Sequence, residues 1–551
     1  MTNRRDFLRT STTAAAAMLG APALILRSRA TADLIIRNGN VFNGLGRPSR
    51  QLDLVINNGK IVSLTRTSGD RGATEIDAKG LAVTPGFIDI HSHGDGSLWE
   101  DPRAESLIRQ GVTTIVVGQD GSSSAPRDAA AGRGASSDDD ERRFVRFTDL
   151  WTSLARLQPS VNVASMVGLG TIRGIVVGDA NRPATPAEMS RMLALVTQAL
   201  ADGACGVSTG LEYTPGAFAP REELIALCKP LAKLGLPYAT HMRNEDDRLI
   251  EAIDEAIAVA RGASCPLQIS HLKTQGPRNW SKLDTAFARI AAARKAGCDA
   301  QFDRYPYVAY QTGLTNLFPV NSRDGGTDAF LSRLVTPGRM ENIKRETLAK
   351  IDLLGSWDNV MIANVSNDDD RSAEGQRLGS YARSKGIDPY DMAVALLQRS
   401  HGNVGMVGFA MSEENLDRIL AHPQGMVCSD GGAFAIDGPT KRGHPHPRGL
   451  GTFPRVLGRY VRERKALTLE QAINKMSALP ASRIHLRDRG RLAANMAADV
   501  VVFDPVTVSD KATYEDPFQY PIGISAVIVN GSVALRDGQR DPKHAGKGLR
   551  V

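Results

Sequence analysis

Eight short apolar segments alternate with helix-like segments along the middle of the chain. A parallel sheet produces this alternation, because each strand needs a crossover, usually a helix, before the next parallel strand can begin. Eight is also the number of strands that closes a (β/α)8 barrel. We therefore predict an α/β fold with a TIM-type barrel. The candidate strands are Phe87–His91, Thr113–Val117, Val163–Val167, Gly206–Thr209, Tyr238–His241, Leu267–His271, Ala300–Asp303 and Met426–Asp430.

Both ends of the chain carry short β-prone segments that contain Asn-Gly pairs, at Asn38-Gly39, Asn58-Gly59 and Asn530-Gly531. An Asn-Gly pair between β-prone runs is a strong signal for a hairpin. The two ends therefore predict one small β-sandwich built from both termini, and the long gap before the last candidate strand predicts an inserted subdomain. The predicted domains are a β-sandwich over 31–84 and 489–551, a barrel over 85–488, and an insertion at about 308–425.

Residues 1–30 have the pattern of a targeting segment. Arg4-Arg5 is followed by Phe7-Leu8 and a mild apolar run through Leu26, which resembles a twin-arginine export signal. The run contains several Ser and Thr residues and is short and weakly apolar for a permanent membrane span. We therefore predict export to the periplasm without a stable membrane anchor.

The charge of the chain does not indicate a nucleic-acid partner. Residues 1–30 hold five arginines against one aspartate, a surplus of four, so the net charge of +7 falls to +3 once they are removed. That value is too small to predict binding to nucleic acid. The five cysteines are an odd number without a C-x-x-C pair, which argues against a disulfide framework or a structural zinc knuckle.

Candidate metal ligands stand at the ends of several predicted strands. His91 and His93 are spaced i, i+2, so on a strand their side chains point to the same face. The carboxyl ends of barrel strands meet at one face, where residues far apart in sequence converge. Imidazoles and carboxylates suit zinc or another divalent first-row metal, as one or two ions. The further candidates are Asp120, His241, His271 and Asp430.

An ordered set of longer motifs surrounds these residues. Together they resemble the amidohydrolase superfamily and, within it, the D-aminoacylase (N-acyl-D-amino-acid deacylase) family. The motifs are Pro85-Gly86-Phe87-Ile88-Asp89, Gly111-Val112-Thr113-Thr114, Ser208-Thr209-Gly210-Leu211-Glu212-Tyr213, Thr240-His241-Met242-Arg243-Asn244-Glu245, Ser270-His271-Leu272-Lys273, Arg304-Tyr305-Pro306-Tyr307, Ser429-Asp430-Gly431, His444-Pro445-His446-Pro447-Arg448-Gly449 and Gly451-Thr452-Phe453-Pro454-Arg455.

The resemblance implies a reaction and a division of roles. The reaction is metal-dependent hydrolysis of the amide bond of an N-acyl-D-amino acid, which releases a carboxylate and a D-amino acid; the D configuration follows from the resemblance alone. Asp430 would touch the first metal and act as general base. His91 and His93 would hold that first metal, and His241 and His271 the second. As a further hypothesis, the carboxylate of the substrate would be held by Lys273, by Tyr305 or Tyr307, and by Arg448.

One position departs from the family pattern. Asp120 occupies the place of a cysteine that serves as a metal ligand in the D-aminoacylases. A carboxylate can bridge two ions through its two oxygens, but the change is also compatible with a degraded site that binds one ion or none. Two alternatives therefore stay open: a hydrolase of another amide, carbamoyl or dipeptide bond with the same metals, and a non-catalytic periplasmic binding protein on the same barrel.

Overall fold

The computed structural model describes residues 31–128 and 144–551. The predicted export segment, residues 1–30, lies outside the described residues. Within the described ranges, no helix combines the length and the apolar character that crossing a membrane requires.

Eight parallel strands of the described chain form the barrel in sequence order. The third strand is bent; its first part pairs with the second strand and its last part with the fourth. Backbone hydrogen bonds close the ring just beyond the strand ends, from Asp430 N to His91 O (2.8 Å) and from His93 N to Gly431 O (2.9 Å). The predicted barrel is confirmed. Its strands are Phe87–Asp89, Val112–Val117, Asn162–Ser165 with Val167–Gly168, Val207–Gly210, Tyr238–His241, Leu267–Ile269, Ala300–Arg304 and Gly425–Val427.

Helices lie between successive barrel strands. The helix Pro186–Ala201 begins where the sequence predicts, because Thr185 accepts a hydrogen bond from Glu188 N and Glu188 bonds back to Thr185 N, a capping box. The helices that follow the barrel strands are Gly94–Glu100, Glu105–Arg109, Phe147–Leu157, Leu169–Val176, Pro186–Ala201, Arg221–Cys228, Leu231–Leu234, Leu249–Ala263, Leu283–Lys295, Arg448–Arg455, Val456–Glu463 (a π-helix), Leu469–Met476 and Ala478–Arg483.

Barrel strands are buried on both faces. One set of side chains, among them Ile88, Val116 and Cys205, packs in the interior of the barrel. Their sequence neighbours, such as Phe87 and Ile115, pack on the outside against the helices. Because neither face meets water, the strands appear in the sequence as continuous apolar runs rather than as alternating ones.

A long segment with its own sheet separates the seventh barrel strand from the eighth. Its three strands are antiparallel, and the strand that is last in sequence lies in the middle. The strands are Ala309–Gly313, Val360–Val365 and Val404–Phe409, and the helices of this segment are Gly326–Val335, Met340–Leu354, Leu378–Ser384, Pro389–Arg399 and Glu413–Ala421.

The two ends of the described chain form one nine-stranded mixed sheet. Residues of both ends, for example Ile36 and Ile528, belong to one buried apolar cluster. Asn58 and Gly59 both have positive φ and form the predicted tight hairpin, in which Asn57 pairs with Lys60. The strands are Thr31–Val41, Arg50–Asn57, Lys60–Thr65, Arg71–Asp77, Ala82–Pro85, Val500–Phe503, Ile524–Val529, Ser532–Arg536 and Gln539–Arg540.

Candidate metal centre and active site

A cavity of about 940 Å³ opens at the carboxyl ends of the barrel strands. Loops after the strands line its base, and residues of the inserted segment, such as Tyr310, Lys350 and Asn403, line its walls. Its volume is within the range of sites that enclose small molecules. The cavity therefore lies where barrel enzymes carry out their chemistry.

Four histidines surround one carboxylate oxygen at the base of this cavity. Asp120 Oδ2 lies 3.4 Å from the Nε2 atoms of His91, His93 and His271, and 3.8 Å from His241 Nδ1. His91, His241 and His271 are buried, whereas the side chain of His93 is 37% exposed. The structure thus brings together five predicted ligands that four separate strand ends supply.

Asp430 completes the cluster from the eighth strand. Its Oδ1 lies 3.1 Å from His93 Nε2 and 3.6 Å from His91 Nε2. Its Oδ2 accepts a hydrogen bond from Arg448 Nη1 at 2.7 Å. The polar atoms form three overlapping groups. One holds His91, His93 and Asp430, a second holds His241 and His271, and Asp120 belongs to both; the third consists of Glu212, His241 and Glu245.

The backbone is unusual at three of these positions. Asp120, His271 and Asp430 have φ values of +52°, +35° and +50°. Residues other than glycine rarely adopt this left-handed region, and strained backbone of this kind clusters at functional sites. All three residues lie two or three positions beyond the last residue of their strands, which end at Val117, Ile269 and Val427.

The side chains fit a cation. Both ring nitrogens of His91 and Oδ1 of Asp120 are buried and have no hydrogen-bond partner among the described residues. Buried polar atoms without partners are costly, and His91 Nε2 faces Asp120 Oδ2 at 3.4 Å, which indicates that a bound group satisfies it; His91 Nδ1 faces Asp303 instead. Imidazole nitrogens and carboxylate oxygens are the ligands that zinc takes in proteins. Two overlapping ligand groups that share Asp120 can hold two ions.

Charge favours the ionised form of both carboxylates. Burial by itself would raise the pKa of Asp120, but His91 and His271 outweigh it and hold that pKa well below its ordinary value. Burial acts in the same way on Asp430, and Arg448 and His271 lower the pKa of its carboxyl. Both groups are therefore anionic at neutral pH, as metal ligands must be.

The predicted substrate-binding residues divide into two groups. Lys273, Tyr305 and Arg448 are buried and line the cavity. The Arg448 guanidinium lies 4.7 Å from the centre of the Tyr305 ring, and the Tyr305 hydroxyl has no hydrogen-bond partner in the described part of the chain. Lys273 Nζ lies 2.5 Å from Glu245 Oε1 and 2.7 Å from His271 Nδ1.

Tyr307, the other tyrosine predicted to hold the substrate, does not face the cavity. It is not among the residues that line the cavity. Its hydroxyl donates a hydrogen bond to Pro447 O at 3.4 Å, and its ring packs edge-on against His446. Of the two tyrosines left open by the sequence, Tyr305 is the one that faces the cavity.

Three further carboxylates lie next to the histidines. Each contacts the ring nitrogen that faces away from Asp120 in one of the buried histidines. Glu212 Oε2 lies 3.3 Å from His241 Nε2, and Glu245 Oε1 lies 3.1 Å from His271 Nδ1. Asp303 Oδ1 lies 3.5 Å from His91 Nδ1. Glu245 belongs to the same motif as His241, and Glu212 belongs to the motif Ser208 to Tyr213, so membership of a family motif is the sequence signal that points to both. Partners of this kind orient metal-ligating histidines.

The closed barrel and the histidine–carboxylate cluster define a hydrolase of the metal-dependent barrel type. The amidohydrolase family model matches residues 74–307 and 433–535, and the chain belongs to the amidohydrolase family. It is similar over nearly its whole length to proteins that act on acylated D-amino acids. A D-aminoacylase of Alcaligenes xylosoxydans xylosoxydans is 35% identical over 520 residues, which cover 94% of this chain and 97% of that protein.

Two further relatives agree with that match. An N-acyl-D-aspartate deacylase of the same organism is 36% identical over 517 residues, 93% of each chain. The crystal structure of an N-acyl-D-glutamate deacylase from Bordetella bronchiseptica, complexed with zinc and a phosphonate inhibitor, superposes with a TM-score of 0.80. It is 33% identical and covers 95% of this chain and 100% of that one. The resemblance inferred from the motifs is confirmed.

Proposed function

We propose that the protein is a zinc-dependent deacylase that hydrolyses the amide bond of N-acyl-D-amino acids and releases a carboxylate and a D-amino acid. The observation that carries the proposal is the cluster of four histidines and two carboxylates at the base of one cavity, with Arg448 beside it. The relatives' action on acylated D-amino acids supports the substrate class and its D configuration.

Zinc would be held by two sets of side chains that meet at Asp120. His91, His93 and Asp430 form one set, and His241 and His271 form the other. When bound there, zinc supplies Lewis-acid polarisation of the scissile carbonyl and lowers the pKa of water. An oxygen ligand at position 120 spans both sets, because its Oδ2 lies within 3.8 Å of all four histidines.

Asp430 is the residue placed to move the proton. Its carboxylate is buried in the cavity base and kept ionised beside Arg448 and the histidines. It accepts a proton from the attacking water and returns it to the nitrogen of the departing amine, as a general base that then acts as a general acid. The same side chain serves both steps, since it stands between the histidines and the cavity.

Arg448, Tyr305 and Lys273 hold the free carboxylate of the substrate. Arg448 Nε and the Tyr305 hydroxyl are buried donors without partners in the described residues, so they are available to an anion. The planar guanidinium of arginine binds a carboxylate with two parallel hydrogen bonds. Anchoring that carboxylate next to Asp430 places the amide bond close to the general base.

A panel of substrates tests the proposal. The zinc-loaded protein is assayed with N-acetyl derivatives of D- and L-amino acids that have neutral, acidic and basic side chains, and with N-carbamoyl-D-amino acids and dipeptides. We expect release of acetate from D-configured substrates. Hydrolysis confined to L-substrates, carbamoyl groups or dipeptides would assign the site to a different amide, and binding without turnover would make the protein a binding protein.

We also propose that residues 1–30 direct export through a twin-arginine route. The adjacent arginines followed by Phe-Leu, and the mild apolar run, support it. Replacing Arg4 and Arg5 by lysine should leave the full-length protein in the cytoplasmic fraction of a bacterial host, whereas the unchanged sequence should deliver a shortened protein to the periplasm. Equal periplasmic amounts of both proteins would contradict the proposal.

A further inference from the structure

Glu212 lies in the loop after the fourth barrel strand and faces the same cavity. Its Oε2 lies 3.3 Å from His241 Nε2, within hydrogen-bond distance. The Glu212 side chain is 18% exposed, whereas that of His241 is 6% exposed. A short, largely buried contact between an anion and an imidazole is well placed to control which ring nitrogen carries the proton.

The other nitrogen of His241 faces the predicted metal centre. His241 Nδ1 lies 3.0 Å from His271 Nε2 and 3.8 Å from Asp120 Oδ2. A neutral imidazole has one N–H group and one lone pair, and only the lone pair can bind a metal. A carboxylate that accepts the Nε2–H therefore leaves the lone pair of Nδ1 directed at the centre.

Glu212 differs from the carboxylates next to the other two histidines. Glu245 is paired with Lys273 and accepts a hydrogen bond from Gln275, and Asp303 accepts from Gln268 and from a backbone N–H. Within the described ranges, the Glu212 carboxylate has His241 as its hydrogen-bond partner, while Arg323 donates to the backbone oxygen of Glu212. The Glu212 carboxylate therefore makes its hydrogen bond to His241, while its charge also acts through space on Arg323 and Lys350.

We propose that Glu212 is a positioning residue for His241: it accepts the Nε2–H and holds the ring with Nδ1 facing Asp120, which strengthens metal binding. This inference rests on the metal centre of the proposed function. In this role Glu212 acts through the tautomer, the orientation and the basicity of one ligand, although its carboxylate also belongs to a group with His241 and Glu245 that could hold an ion directly.

Zinc affinity of the protein without substrate is the measurement that tests this role. Purified metal-free wild type, Glu212→Ala and Glu212→Gln are titrated with zinc in competition with a chelating dye. Loss of a partner of this kind weakens metal binding by about 10- to 100-fold, which is the effect expected for Glu212→Ala. Glu212→Gln should recover most of the affinity, because its amide oxygen also accepts the Nε2–H.

A control variant and a spectrum separate positioning from other roles. Glu222→Ala removes a side chain that is 73% exposed and pairs with Arg221, and it should bind zinc like the wild type. In the cobalt-substituted protein, the visible spectrum of Glu212→Ala should change while that of Glu212→Gln stays close to the wild type. Wild-type zinc affinity in Glu212→Ala would overturn the proposal.

Two further outcomes are decisive. If Glu212→Gln loses a whole equivalent of zinc, as Glu212→Ala would if the carboxylate were a direct ligand, the positioning role is wrong. Because zinc is titrated without substrate, a protein that binds zinc in this pattern but cleaves no N-acyl-D-amino acid would keep the inference and refute the proposed activity. A wild type that binds no zinc would overturn both.

Discussion

Asp430 and Arg448 form a buried ion pair at the base of the cavity, with a hydrogen bond of 2.7 Å from Arg448 Nη1 to Asp430 Oδ2 and side chains that are each 6% exposed. The pair links the residue proposed to move the proton with a residue proposed to hold the substrate. A substrate carboxylate that binds Arg448 therefore lies next to the general base, so binding and proton transfer depend on each other.

Removal of the Asp430 charge should abolish turnover while the fold is retained. In Asp430→Asn the amide cannot accept the proton of the attacking water, and general acid–base catalysis of this kind contributes about 10²- to 10⁴-fold to the rate. We expect kcat to fall by that factor while the protein still folds, with a lower melting temperature because the buried Arg448 loses its charged partner. Asp437→Asn is the matched control, since Asp437 is exposed and pairs with Arg103. A wild-type rate in Asp430→Asn would refute the general-base role.

Replacing the guanidinium of Arg448 by the ammonium of lysine should weaken substrate binding. Lysine keeps the charge but lacks the planar pair of donors, and hydrogen bonds to charged groups contribute about 1.5–3 kcal/mol, which corresponds to roughly 10- to 100-fold in affinity. We expect KM of Arg448→Lys to rise by this factor in steady-state assays. Arg383→Lys is the control, because Arg383 is exposed, pairs with Asp358 and is not among the residues that line the cavity. An unchanged KM would remove Arg448 from the substrate site.

Asp120 should decide how many zinc ions bind. It belongs to both ligand groups, so Asp120→Ala should lose at least one equivalent of zinc per chain, measured by inductively coupled plasma mass spectrometry. Asp120→Asn is the informative control: asparagine tolerates the left-handed backbone at φ +52° as well as aspartate does, so zinc loss in this variant reports the charge and not the backbone. Asp120→Cys should retain zinc, because thiolates are strong zinc ligands. Full zinc content in Asp120→Ala would exclude Asp120 as a ligand.

Cys205 should make the protein less stable at alkaline pH. Burial in the barrel interior raises the pKa of its thiol from 9.0 to about 12. Between these values the unfolded chain loses the thiol proton and the folded chain keeps it. The free energy by which the protonated Cys205 thiol stabilises the folded state is therefore fully present below about pH 9. It is lost as the pH rises toward 12, at about 1.4 kcal/mol per pH unit.

Comparison with Cys205→Ala isolates this effect from other groups that titrate at high pH. Urea unfolding of both proteins is measured at several pH values from neutral to alkaline. The difference in the free energy of unfolding between wild type and variant should shrink as the pH rises above about 9. A difference that does not depend on pH would show that the thiol ionises at its ordinary pKa in the folded protein.

The barrel could be predicted because its signals are local. Each strand is a short apolar run, and its helical neighbour Pro186–Ala201 carries a Thr185–Glu188 capping box. Tertiary pairing overrode one local signal. Asn38-Gly39 has the residues of a hairpin turn, but it forms a bulge inside the strand Thr31–Val41, because that strand pairs with Arg50–Asn57 on both sides of it.

The local sequence pattern could not decide whether Tyr305 or Tyr307 faces the cavity. The seventh strand ends at Arg304, so the alternation of side chains along a strand no longer applies to these residues. A turn in which Tyr307 N donates to Tyr305 O, at 3.0 Å, sends the two rings in different directions. One ring meets the cavity and the other meets Pro447.

The sequence by itself determined the barrel, its family and the candidate ligands at the strand ends, because strand periodicity and short motifs depend on neighbouring residues. The tertiary structure decided which distant side chains meet: Glu212 with His241, and Asp303 with His91. It also placed Asp120 among four histidines. The physical reason is barrel closure, since the register between strands and the left-handed backbone at Asp120, His271 and Asp430 set these distances.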